Sequence, residues 1–115
     1  MKRSETKKLD KEWSLRVRTR YKFICQVCKR RAHNNNAAHI IPKHANPILR
    51  HDIRNGICLC YRCHRVGPQA FHQNPLWFNK WLRRNHYAQW KWCMIKGGIT
   101  KNETEETNKT NNQTN

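Results

Sequence analysis

Apolar residues recur every fourth position early in the chain, at Leu9, Trp13, Val17 and Tyr21, while Arg16, Arg18 and Arg20 fall on other faces. That spacing lays one stripe along a helix. Asp10 and Glu12 near its start suit the positive end of the helix dipole. Ahead of it, residues 1–8 are polar and read as a flexible basic lead. The period then shortens. Residues 23–28 read as a short strand entering a cysteine turn, and residues 37–41 (AAHII) as a second short strand stopped by Pro42. Residues 43–55, with Asn46, Pro47 and Asp52, suit an irregular connection, after which Gly56 opens the apolar strand GICLC. A helix is predicted from near Tyr61, carrying Cys63 and His64 on its first turn and broken by Gly67 and Pro68. Pro75 suits the first turn of another helix, which runs through Leu76, Trp77, Trp81 and Leu82 toward Trp90 and ends at Gly97 and Gly98. Residues 97–115, repetitive in Asn, Thr and Glu, are expected to be a disordered polar tail. One folded domain over residues 9–96 is the expected organisation.

So small a core gains little from burial alone, and six cysteines offer a staple. The opening MKRSETKKLDKEW lacks the apolar centre of a secretion signal, and no apolar run approaches a membrane span. An intracellular, cytoplasmic placement is therefore expected, where thiols stay reduced and metal binding is favoured over disulfides.

Cys25 and Cys28, then Cys60 and Cys63, form two C-x2-C pairs flanking residues 29–59. Four thiolates in two such pairs match a tetrahedral structural Zn²⁺ site, because each short pair clamps two ligands from one tight turn. A competing set, Cys25, Cys28, His39 and His44, has nearly the spacing of a DNA-reading zinc finger. It fails because a finger needs both histidines on one helix, and Pro42 with β-prone neighbours lies between these two. Cys58 and Cys93 remain as buried thiols.

Charge adds a partner. The chain carries 24 Lys plus Arg against 7 Asp plus Glu, a formal net charge of +17. Residues 65–96 hold Arg65, Lys80, Arg83, Arg84, Lys91 and Lys96 and no acid, so the excess lies on folded surface rather than in the tail. Basic segments interleaved with aromatics favour nucleic acid over a membrane.

The conjunction of AAHIIPK, LRHDIRNGICLCYRCH and the upstream WSLRVRTRYKFICQVC resembles the HNH endonuclease family over residues 13 to about 82. FHQNPLWFNKWL is similar to the stretch after the core in phage-type members. The resemblance implies an α+β fold: a small zinc-stabilised ββα-metal (His-Me) finger with flanking N- and C-terminal helices. It implies metal-dependent hydrolysis of DNA phosphodiester bonds. His39 matches the general base that takes a proton from water, Asn55 the asparagine that braces the loop holding the base, and His64 a ligand of a catalytic divalent metal (Mg²⁺, Mn²⁺ or Ni²⁺). Many members place Asp or His just before the base, where this chain has Ala38, and His72 is the candidate for the further ligand.

Arg16, Arg18, Arg20, Arg50, Arg54, Lys80, Arg83 and Arg84 are the candidate phosphate contacts, which fix position without reading sequence. His33, His44, His51 and His86 are expected at the surface or on the DNA backbone. The resemblance also admits a phage or mobile-element protein partner. The alternative is a catalytically inactive, zinc-containing nucleic-acid-binding module or accessory subunit; Ala38 favours it, and retention of both histidines and the asparagine disfavours it.

Overall fold

The computed structural model describes residues 2–97; the tail expected over residues 97–115 lies outside them except for Gly97. Helix α1 spans Arg3–Arg20, strand β1 Asn36–His39, strand β2 Gly56–Leu59, helix α2 Pro75–Asn85 and helix α3 Tyr87–Lys96. The strands form one antiparallel pair, with Asn36 opposite Leu59 and His39 opposite Gly56. This is the small α+β architecture expected, a two-stranded hairpin flanked by helices.

The stripe predicted for α1 is the face it buries: Trp13 and Val17 are buried against the hairpin. The helix starts at Arg3, so residues 3–8 extend it ahead of Leu9. The Lys2 N–H donates to Glu5 at its start, and Arg18 and Arg20 stand in its last turn, where the dipole favours cations.

Beyond α1 the chain turns through two left-handed residues, Lys22 (φ 55°) and Phe23 (φ 61°). That turn replaces the strand expected over residues 23–28, leaving one bridge between Ile24 and Arg31.

β2 is buried at all four positions, because α1 covers one side and Phe78 and Leu82 of α2 the other. Cys25, Ala38, Ile57, Leu59, Cys60, Phe78 and Leu82 form the centre. Cys58 and Cys93 are fully buried, as expected for the two cysteines outside the pairs.

Two helix predictions change in form. The turn after β2 is a five-residue π-helix, Arg62–Val66, closed by a bond from the Gly67 N–H to the Arg62 carbonyl (2.9 Å). The helix expected to run from Pro75 toward Trp90 is two helices, broken at His86 (φ −140°, ψ 60°). No glycine or proline marks that break. The Asn85 side chain donates to the Trp81 carbonyl there, and the His86 ring is half-buried against Tyr21 and Trp81 rather than at the surface.

Candidate metal and nuclease site

The two C-x2-C pairs, far apart in sequence, meet at one point. The Sγ atoms of Cys25, Cys28, Cys60 and Cys63 all lie within 4.8 Å of one another. Cys28 and Cys60 are 3.7 Å apart, and a tetrahedron with Zn–S bonds of about 2.3 Å has edges of about 3.8 Å. Each pair is built alike, the Cys28 N–H pointing at Cys25 Sγ and the Cys63 N–H at Cys60 Sγ, both at 3.5 Å. Lys29, left-handed at φ 67°, closes the first turn with a bond from its N–H to the Cys25 carbonyl (2.8 Å).

Burial works against the Cys25 thiolate, but the backbone N–H groups of Cys28, Cys60 and Val27 outweigh it and lower its pKa. Burial and the neighbouring sulfurs push the Cys63 thiol well up. Crowded thiols of this kind are held as thiolates by a cation, and the donor set fits a structural zinc.

The π-turn sends consecutive residues to different places. Cys63 joins the sulfur cluster, while His64 lines a cleft of about 610 Å³ with Asp10, Trp13, His39, His44, Phe71 and His72. His39 and His64 thus face one cleft from β1 and from the turn after β2.

His39 Nε2 lies 2.9 Å from the Arg50 carbonyl oxygen. A carbonyl only accepts, so Nε2 carries the proton and Nδ1 keeps its lone pair. The ring stacks on Trp13 with centroids 3.9 Å apart and planes 10° from parallel. Burial pulls its pKa below the ordinary 6.5, which keeps the imidazole neutral.

Asn55 is fully buried and answers both polar groups of Ile41: its Oδ1 accepts from the Ile41 N–H (2.7 Å), and its Nδ2 donates to the Ile41 carbonyl (3.1 Å). Nδ2 also donates to the Leu49 carbonyl (3.2 Å), and the Ile40 N–H bonds the Asn55 carbonyl (3.0 Å). These bonds end β1 at His39, two residues before the predicted stop, and tie both ends of the connecting loop together.

His64 Nδ1 lies 3.0 Å from Asn36 Oδ1, which accepts its proton and leaves the Nε2 lone pair free. Burial, then the charges of His72, Arg65 and His39, bring its pKa down to about 4. His72 sits edge-on to His64, ring centroids 4.6 Å apart, with its N–H bonded to the His64 carbonyl (3.0 Å). The fold-back past Gly67 and Pro68 therefore brings these two rings together. Ala38 points the other way: it is buried in the core, and the cleft face of β1 carries Ala37 and His39.

The basic residues divide. Arg18, together with Arg65, lines a polar recess of about 490 Å³ that shares Ser14, Ala37 and His64 with the cleft. Arg16 and Arg20 are exposed on α1, and Lys80, Arg83 and Arg84 on α2, away from the cleft lining. Arg50 is bound to Asp10, and Arg54 to Asp52 (2.9 Å) with its guanidinium 4.4 Å over the Trp92 ring. His51 is likewise paired with Asp10, at 2.7 Å, and the first cause of that carboxyl's low pKa of about 2 is its bond to Arg50.

Sequence reasoning takes Trp13 as core only, and misses Asp10, Asn36 and Arg65. A polar pair spaced as Asn36 and His64 leaves no local signal, since only strand pairing brings them together.

A hairpin joined to a helical turn by a four-cysteine cluster, with two histidines facing one cleft, defines a zinc-stapled ββα finger. The model of the HNH endonuclease family matches residues 25–66, a stretch that takes in both cysteine pairs, β1, Asn55 and the π-turn. Over that segment the chain is similar to the HNH endonuclease family, which in general hydrolyses nucleic acids. No curated protein and no solved structure matches the chain. No helix among the described residues is long and apolar enough to cross a membrane.

Proposed function

We propose that this protein is a metal-dependent endonuclease that hydrolyses DNA phosphodiester bonds, with His39 as the general base. The observation that carries the reading is the pair of complementary tautomers: His39 is fixed with Nδ1 open, and His64 with Nε2 open, on one cleft. A base needs a lone pair and a near-neutral imidazole, and a metal ligand needs the same of its nitrogen.

His39 takes the proton of a water placed in line with the scissile phosphorus. Asn55 keeps the loop, and with it the Arg50 carbonyl, in register with β1. His64 and His72 are the side chains that would hold a divalent ion, which when bound supplies charge relief to the phosphate and the leaving oxygen. Arg65, close enough to lower the pKa of both His64 and His72, and Arg18 in the adjoining recess are placed to receive phosphates flanking the cut. The net charge of +17 supports a polyanionic substrate.

The test is incubation of the zinc-loaded chain with supercoiled plasmid, with Mg²⁺, Mn²⁺ or Ni²⁺ added or withheld. Nicked or linear product that requires the added ion is expected. A folded, zinc-loaded protein that binds the plasmid and never cuts it in any of these ions would instead be the non-catalytic binding module.

A further inference from the structure

Two arms reach from α1 to His39, and both start outside the segment that matches the family. Asp10 and Trp13 stand three residues apart, on one side of the helix. The Asp10 carboxylate grips the Arg50 guanidinium in a fork, accepting from Nε (2.9 Å) on Oδ1 and from Nη2 (2.7 Å) on Oδ2. His51 Nε2 donates to the same Oδ1 at 2.7 Å. Arg50 is also the residue whose carbonyl holds His39 Nε2. Trp13, flat against the imidazole, donates its Nε1–H to the Asp52 carbonyl (2.9 Å). Residues 50–52 are thus tied to α1 at every position, and the imidazole lies between a carbonyl and an indole that the same helix fixes.

We propose that Asp10 is a positioning residue for the hydrolysis: by clamping the Arg50 side chain it fixes the Arg50 carbonyl, and through it the tautomer and plane of the His39 ring. The inference rests on the reading of His39 as the base. Asp10 acts without touching the reacting atoms. The Arg50 and Asp10 side chains are 29% and 34% exposed, so the pair adds little to global stability. Its effect belongs to geometry, where a small displacement of a base lowers the rate steeply.

Asp10→Asn keeps the shape and removes the charge. A fall of about tenfold in kcat with KM and melting temperature nearly unchanged is expected. The reversed pair, Asp10→Arg with Arg50→Asp, is expected to recover most of that loss, and neither single reversal to do so. Two-bond ¹H–¹⁵N spectra of the histidine rings in the zinc-loaded full chain give a readout that needs no activity. They should show His39 as the Nε2–H form in the wild type and as a tautomer mixture in Asp10→Asn.

An unchanged kcat, a loss carried by KM alone, a reversed pair no better than its singles, or a single His39 tautomer in Asp10→Asn would each overturn the proposal. A wild type that cuts no plasmid overturns the nuclease reading and the catalytic consequence with it; the spectra then still decide whether Asp10 holds the ring.

Discussion

The carbonyl oxygen of Arg50 lies 2.9 Å from Nε2 of His39, and that one contact decides which nitrogen of the ring is free to act. Because one face of the ring is covered by Trp13, the same surroundings that fix the tautomer also desolvate it.

Burial is the largest cause of the lowered His39 pKa, and a base works only when unprotonated. Lowering the pKa keeps the ring neutral further into acid. The acid limb of kcat/KM, measured from about pH 5 to 8 at saturating metal, is therefore expected below the ordinary histidine value of 6.5. A limb at or above 6.5 would speak against a desolvated base.

Asn55→Asp keeps the shape and an acceptor for the Ile41 N–H, but it has nothing to donate to the Ile41 and Leu49 carbonyls. The buried Ile41 carbonyl loses its donor, the Leu49 carbonyl keeps only the Asp52 N–H, and a charge enters the core, a destabilisation of about 3 kcal/mol or more in a urea melt. A melt shifted by less than about 1 kcal/mol would show that Asn55 does not brace the loop.

Gly56 is where α1 meets the hairpin. A Cβ there would stand 2.4 Å from Val17 Cγ2 and 2.8 Å from Trp13 Cζ2. Gly56→Ala must push the helix off β2, so a loss of about 1–3 kcal/mol in stability is expected. Since Trp13 moves with the helix, nicking is expected to slow as well; wild-type melting and rate together would contradict this packing.

Much of this was legible in the sequence. The cysteine spacing announced a metal cluster, the stripe through Trp13 and Val17 gave the buried face of α1, and Pro42 and Gly56 bounded the hairpin. Asn55 followed by Gly56 reads locally as a turn; in the fold, the asparagine ends a strand and the glycine admits a helix, and both reasons are tertiary. The break at His86 and the π-turn at Arg62–Val66 have no local marker either, since the first accompanies packing of an imidazole on Tyr21 and the second holds Cys63 in the sulfur cluster. Arg50 reads as a free cation because its acid, Asp10, is far away along the chain and meets it only in the fold, whereas Arg54 is held by Asp52 two residues before it, a local pairing that counting charges overlooks.

Cys60 supplies Sγ to the cluster from the end of β2, and its carbonyl accepts the His64 N–H at 2.9 Å. Cys60→Ser is expected to lose zinc and the cooperative melt together, read by zinc content and circular dichroism. One full zinc equivalent with unchanged melting in that variant would rule out the staple.

The most direct measurement is single-turnover nicking of supercoiled plasmid by His39→Ala beside the wild type, both zinc-loaded, at the same added divalent ion. The expected result is a rate lower by about 10²–10⁴ in the variant, with zinc content and far-ultraviolet circular dichroism retained. A variant that nicks as fast as the wild type would contradict His39 as the base.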